Sequence, residues 1–241
     1  MGAVIAVAHR GDPYRVRENT LPSFTSAAEA GADSVELDVR TTADGVPVVL
    51  HDATLSRLWG HDAPVAALTA AEVRRLTGGG VPTLAEALAH CAELGVRVLL
   101  DLPERSPERA RAVVDEVRAA GSAARVWYCG DPGALRAVRR AEPDAEIALT
   151  WKRTAAPRPS LLTDVRPRWL NYPLGQVTRD RVDWTLDAGY QVAAWVVDSR
   201  RTMRRLRDLG VTVIMSNRVA TLRAVVDAPP RALEARGGAV P

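Results

Sequence analysis

Lysine is nearly absent from this chain of 241 residues. Lys152 is the only one among 32 basic side chains, and the rest are arginine. Cysteine is almost as scarce. Cys91 and Cys129 show no metal-type spacing and read as buried thiols rather than a disulfide. No apolar run reaches the roughly 18 residues of a membrane span, so no stable membrane insertion is expected. The segment Met1 to His9 lacks a basic start and turns polar too early for a secretion signal. It reads as a buried strand, and the protein as cytoplasmic. No glycine-rich dinucleotide or phosphate-loop fingerprint follows that strand, which disfavours a doubly wound nucleotide-binding sheet. The formal net charge is only +3, and Arg alternates with Asp and Glu. Arginine-rich stretches such as Arg200 to Arg207 fit a solvated helix face, so no nucleic-acid partner is expected.

What is present is an alternation. Apolar, often β-branched runs occur near 4–9, 34–39, 96–102, 125–130, 146–151, 168–172, 191–197 and 211–216. Helical patterns with start and stop signals lie between them. Ser106-Pro107 and Asp131-Pro132 open two helices, and Asp198 is a candidate cap for a third. Thr69 with Glu72 and Thr83 with Glu86 fit capping boxes. Gly31, Gly121 and Gly189 suit helix ends. Eight βα units in this length predict an α/β fold, a (β/α)8 TIM barrel, as one domain over 1–228. Residues 229–241 read as a loosely ordered tail.

One stretch breaks the alternation. Only a few residues separate 34–39 from the strand-like 46–51, too few for a parallel crossover. The second segment must return antiparallel, as a β-hairpin arm after strand 2. A short insertion over about 53–82, with one short helix, then precedes the third barrel strand. Asp44-Gly45 suits a two-residue type I′ turn, which predicts that 41 faces 48 and 38 faces 51. Glu36, Asp38 and His51 then share one face.

Barrel enzymes carry their chemistry at the C-terminal ends of the strands. Here those ends read His9-Arg10, Glu36 and Asp38, Asp101, Cys129, Lys152, Asn171, Trp195 and Ser216-Asn217, with His51 added by the arm. Glu36, Asp38 and Asp101 offer hard oxygen ligands suited to one Mg²⁺ or Ca²⁺. Arg10 can grip an anionic oxygen. His9 and His51 can move protons near neutral pH. A metal, an arginine and two imidazoles favour phosphoryl-ester cleavage of a small-molecule phosphodiester. His61 and His90 lie away from the strand ends and read as structural.

These residues also fall in recognisable strings. Ala8-His9-Arg10-Gly11, Glu18-Asn19-Thr20-Leu21 with Phe24, Glu36-Leu37-Asp38-Val39, Thr42-Ala43-Asp44-Gly45 and Val49-Leu50-His51-Asp52 resemble the glycerophosphodiester phosphodiesterases. Arg57, Val81-Pro82-Thr83-Leu84 and Ala194-Trp195-Val196-Val197-Asp198 extend the resemblance along nearly the whole chain. It implies a metal-dependent TIM-barrel hydrolase that releases an alcohol and glycerol 3-phosphate. His9 and His51 would be the acid–base pair, with attack by the substrate's own glycerol hydroxyl. Arg10 would bind phosphate, Glu36 and Asp38 would bind metal, and Trp195 would line the substrate pocket. Asn19 would shape the loop around His9.

The chain departs from the family pattern in three places. Asp101-Leu102-Pro103 stands where Glu-x-Lys is usual, so the phosphate-touching lysine is missing and Lys152 is the candidate to replace it. Ser216-Asn217-Arg218-Val219 stands for Thr-Asp-x-Pro, and Cys129-Gly130 for Ser-Phe. These changes leave two alternatives open: a phosphodiesterase for lysophospholipid-type substrates, or a non-catalytic phosphodiester-binding protein on the same scaffold. Oligomeric state is not legible in the sequence.

Overall fold

A computed structural model describes residues 4–229. The expected tail lies outside the described residues, apart from Pro229. Eight parallel strands close a barrel: β1 (Ile5–His9), β2 (Ser34–Thr41), β4 (Arg97–Leu102), β5 (Val126–Gly130), β6 (Glu146–Thr150), β7 (Trp169–Pro173), β8 (Gln191–Trp195) and β9 (Val213–Ser216). The hydrogen-bonded order runs β1-β9-β8-β7-β6-β5-β4-β2, and β1 pairs directly with β2 to complete the ring. The short β3 (Pro47–Val49) adds to β2 antiparallel, as the hairpin arm.

Helices α1 (Leu21–Glu29), α4 (Leu84–Glu93), α5 (Pro107–Ala119), α6 (Pro132–Ala141), α7 (Pro159–Val165), α8 (Arg179–Asp187), α9 (Arg200–Asp208) and α10 (Val219–Val226) connect or follow the barrel strands. The insertion holds two short helices rather than the expected one, α2 (Ser56–Trp59) and α3 (Ala70–Leu76). Both capping boxes form, as do the Ser106 and Asp131 caps.

Three apolar clusters divide the work. The largest lies between barrel and helices and includes Leu37, Val39, Leu100 and Leu149. A second fills the barrel itself with Val7, Leu99, Trp127, Ala148, Trp169 and Met215. At its lower end Trp127 and Trp169 meet with ring centroids 5.1 Å apart. Their indole N–H groups donate to Ser34 Oγ and Thr212 Oγ1, so the floor is packed with its polar atoms satisfied. The third cluster belongs to the insertion: Val48, Leu50, Leu55, Val65, Val73 and Val81.

The hairpin register differs from the expected one by a residue. Val39 faces Val49 and Arg40 faces Val48. The loop has three residues, Ala43-Asp44-Gly45, with Thr42 N–H donating to Val46 C=O at 3.1 Å and Gly45 N–H to Thr42 C=O at 3.0 Å. Only Gly45 there has positive φ, at +81°. Asp44 does not take a positive φ, so the type I′ turn does not form and a turn ending in a left-handed glycine takes its place. His51 therefore does not oppose Asp38; Leu50 N–H donates to Asp38 C=O instead.

Candidate active site

A cavity of about 820 Å³ opens at the C-terminal ends of the strands. His9, Arg10, Glu36, Asp38, His51, Asp101, Lys152 and Trp195 all line it. The structure thus brings every one of the candidate site residues to one space. His61 and His90 do not line it. They bond elsewhere, to Leu76 C=O at 2.9 Å and Thr25 Oγ1 at 2.8 Å.

Pairing of β2 with both β1 and β4 builds the acidic side. Glu36 lies beside His9, and Asp38 beside Asp101. Glu36, Asp38 and Asp101 each offer an oxygen within 4.8 Å of the others. Glu36 is 2 % exposed, as is Asp38. Burial, together with the charges of Asp38 and Asp101, pushes the Glu36 carboxyl well above the usual range. Burial and Asp38 likewise raise Asp101 to about 6. Three crowded, mutually repelling acids, two of them buried, need a counter-charge, and their all-oxygen donor set fits a hard divalent cation. Cys129 lies beside them, its Sγ 3.6 Å from Asp101 Oδ1, and burial next to those acids raises its thiol too.

The loop after β1 aims the arginine. Arg10 takes a left-handed φ of +59°, and its N–H donates to Glu36 Oε2 at 3.0 Å. Gly11 is required next: a Cβ there would sit 2.3 Å from Ser23 Oγ. Arg10 Nε lies 3.1 Å from Asp38 Oδ2, off line for a hydrogen bond, while Nη1 donates to Glu18 at 3.0 Å. Asn19, expected to shape the loop, does more. Its Nδ2–H donates to Asp38 Oδ2 at 2.8 Å and its N–H to Arg10 C=O, so it orients an acid of the cluster as well.

His9 is oriented by residues that sequence reading placed elsewhere. Asp198, expected to cap α9, does not; Ser199 takes that position. Asp198 instead accepts from Ser216 Oγ–H, Asn217 N–H and Asn217 Nδ2–H, at 3.0, 2.8 and 2.9 Å. With its amide NH₂ committed to Asp198, Asn217 presents Oδ1 to His9 Nδ1 at 2.8 Å. That carbonyl accepts, so His9 carries its proton on Nδ1 and keeps Nε2 as the lone-pair nitrogen. Burial, then the charge of Arg10, lowers the His9 pKa and favours the neutral ring. The available signal was positional: Asp198 follows β8 and Asn217 follows β9, and those strands are neighbours.

His51 reaches the cavity by leaving the ladder. Val48 and Leu50 pack into the insertion core and Val49 into the barrel–helix layer. Strict alternation would send His51 after Val49, away from the mouth. The strand stops at Val49, and Arg40 Nε and Nη2 then hold the His51 carbonyl at 3.0 and 2.6 Å. His51 Nδ1 bonds Asp52 at 2.7 Å, Asp52 accepts from Arg57 at 2.6 Å, and Arg57 reaches Glu18 at 2.5 Å. Burial would raise Glu18 and Asp52, but their arginine bonds hold both carboxyls below the usual range. A chain of charges, Arg10–Glu18–Arg57–Asp52–His51, thus ties the two halves of the site together.

Lys152 Nζ sits over the Trp195 ring, 5.3 Å from its centroid, and its charge reaches Asp101. Pro103 lines the cavity where the family's lysine would stand.

A parallel barrel with three acids, two histidines and an arginine gathered at its C-terminal mouth has the architecture of a barrel enzyme. The sequence matches the glycerophosphoryl diester phosphodiesterase family over residues 9–221. It is 31 % identical to a probable glycerophosphodiester phosphodiesterase 2 of Mycobacterium tuberculosis, over 93 % of this chain and 91 % of the relative. The fold matches a putative glycerophosphoryl diester phosphodiesterase from Silicibacter pomeroyi at a TM-score of 0.82 and 26 % identity, covering 94 % of each chain. An Oleispira antarctica phosphodiesterase, in complex with its product sn-glycerol-3-phosphate, shares the fold at a TM-score of 0.82 and 23 % identity, over 94 % of this chain and 98 % of that one. The chain belongs to the glycerophosphoryl diester phosphodiesterase family and is an enzyme. Among the described residues, no helix is long and apolar enough to cross a membrane.

Proposed function

We propose that this protein hydrolyses glycerophosphodiesters to an alcohol and glycerol 3-phosphate, with His9 and His51 as the acid–base pair and one divalent cation, Mg²⁺ or Ca²⁺, held by Glu36, Asp38 and Asp101. The observation that carries the reading is the matched commitment of the two rings. Each has Nδ1 bonded, one to an amide and one to a carboxylate, so each offers Nε2 for proton transfer. A protein that only binds phosphodiesters has no use for two rings so braced.

The substrate phosphate would rest against Arg10, whose guanidinium is fixed by Glu18 and Asp38 and so loses little freedom on binding. Lys152 would add the second cation that the family's missing lysine supplies elsewhere, reaching in from the end of β6 with Trp195 beneath it. When bound, the divalent cation supplies charge neutralisation to the phosphoryl oxygens. One imidazole takes the proton of the attacking hydroxyl and the other protonates the departing alkoxide. They exchange roles for the second step if a cyclic phosphate intervenes. The product bound by the Oleispira antarctica relative supports the glycerol 3-phosphate end of this assignment.

The test is direct. Purified protein is incubated with glycerophosphocholine, glycerophosphoethanolamine or glycerophosphoglycerol, with Mg²⁺ or Ca²⁺ and with EDTA, and glycerol 3-phosphate is measured. Release that EDTA abolishes is expected. Absence of turnover for all of them in both metals sinks the proposal.

A further inference from the structure

The cavity has a second charged side that one phosphodiester does not account for. Along the rim from β4 to β6, the loop between β6 and α7 and its neighbours place Arg105, Arg136, Lys152, Arg153 and Arg158 on the cavity lining. Arg105 and Arg136 have carboxylate partners, Asp131 at 3.4 Å and Asp164 at 3.0 Å. Among the described residues, Lys152, Arg153 and Arg158 have none within ion-pair distance. A scissile diester carries a single negative charge, already faced by Arg10 and by the cation that the three acids fit. With Lys152 also reaching toward the acids, Arg153 and Arg158 are left as positive charge in excess of that need.

That wall is built, not loose. Trp151 is 8 % exposed, and its Nε1–H donates to Ala155 C=O at 2.6 Å. Trp151 N–H donates to Asn171 C=O at 2.9 Å, and Gln176 holds the Lys152 carbonyl at 2.5 Å. Arg181 holds the Thr154 carbonyl. The aromatic rings that a choline-type ammonium would seek are already covered. Lys152 lies over Trp195, and Arg153 lies over Trp151 with 5.7 Å from guanidinium to ring centroid. A cationic alcohol would meet three like charges, two of them already seated against the rings it would seek.

We propose that this wall is a second anion subsite, and that the preferred substrate is a glycerophosphodiester whose leaving alcohol bears its own negative charge, as a phosphate or a carboxylate. The inference rests on the proposed hydrolysis and adds the substrate class. The cavity is large enough for it: about 820 Å³ is near the upper end of ordinary small-molecule sites and leaves room beyond a glycerophosphate. Because Lys152, Arg153 and Arg158 are exposed, the preference should weaken with salt.

Two measurements test it. The first compares kcat/KM for glycerophosphoinositol and glycerophosphoinositol 4-phosphate, which differ by one phosphate, with glycerophosphocholine as the cationic case. A preference of about tenfold or more for the phosphorylated alcohol is expected. The ratio should collapse in Arg153→Glu and Arg158→Glu, and in high salt. Equal rates, a preference for choline, or variants that slow all three substrates by one common factor overturn the proposal; the last outcome places the wall on the scissile phosphate. The second measurement needs no turnover. Titration calorimetry follows myo-inositol 4-phosphate and myo-inositol binding to the intact protein in EDTA. Selective binding of the phosphate, weakened by Arg153→Glu but retained in Arg10→Ala, supports the subsite. Its absence overturns it, even if every diester is hydrolysed. Conversely, selective binding without any turnover leaves the subsite standing and removes the hydrolytic reading. Loss of binding to anionic vesicles in the wall variants, with no change for the inositol phosphate, also overturns it.

Discussion

The two ends of the barrel interior are made by opposite rules. At the floor, Trp127 and Trp169 fill the space, and each polar atom they bring is paired, with Ser34 and Thr212. At the mouth, three carboxylates crowd within 4.8 Å, a thiol is trapped beside them, and an arginine backbone is held left-handed. The floor stabilises the fold and the mouth works against it. Natural proteins tolerate such local conflict where a ligand resolves it. Substitutions at the floor should therefore alter stability with little effect on chemistry, and substitutions at the mouth the reverse.

The largest effect is expected from the histidines. His9→Ala and His51→Ala should each lower kcat by roughly 10²- to 10⁴-fold, with melting temperatures close to the parent's. A nitrophenyl leaving group, which needs no proton, should restore one variant and not the other. The restored one identifies the acid. If neither is restored, the division of labour between the rings is wrong.

Next in size is the floor. Trp127→Ala should cost about 3–5 kcal/mol in denaturant unfolding, since it leaves a cavity and removes one of the two hydrogen bonds of the Ser34 hydroxyl. Activity per folded molecule should stay near that of the parent. A large fall in kcat with unchanged stability would dissolve the contrast between the two ends.

Asn217→Leu keeps the branching of the side chain but breaks the link from Asp198 to His9. A loss of roughly a hundredfold in kcat is expected, with metal affinity kept, because the ring is freed to turn. An altered pH–rate profile separates this from simple unfolding. Equal kcat in parent and variant would show that the ring needs no such support.

The subtlest effect concerns pH. Burial and mutual repulsion raise Glu36 and Asp101, so the metal-free native state binds their protons more tightly than the unfolded chain does. Asp101, raised from 3.8 to about 6, makes the metal-free protein lose stability as pH climbs through that window. Glu36 adds to the same slope, since it too is raised. Melting curves in EDTA between pH 4 and 7, taken at about unit steps, should show the decline. Saturating Mg²⁺ or Ca²⁺ should flatten it, and Glu36→Gln should raise the melting temperature in EDTA. A metal-free protein whose stability rises across this range would remove the argument from repulsion.

How much of this was legible depended on the kind of interaction. All eight barrel strands were readable within about two residues, because buried parallel strands are written as local apolar runs. The three acids and two histidines were readable because they sit at strand ends, where a side chain of that kind has few structural uses. The hairpin register was not. Asp44-Gly45 is compatible with two loop lengths, and the choice is set by Thr42, whose hydroxyl accepts from Val46 N–H and donates to the Asp44 carboxylate. Asp198 was misread as a cap because its partners lie on another strand, about 18 residues on. The cationic wall was legible only as scattered arginines, and it took the barrel to bring residues 105, 136 and 158 to one side.

The hairpin arm carries one further consequence. The ring closes through β1 and β2 without any help from β3, and the arm packs its own small core. His51 is thus delivered by an attachment, secured to the ring by Arg40 and by the Arg57 relay. On the proposed function, the barrel proper would hold the ion and the anion, and the attachment would supply one of the two proton carriers. A shortened chain in which a turn replaces residues 43–82 would be a receptor made from an enzyme, holding the diester it can no longer cut.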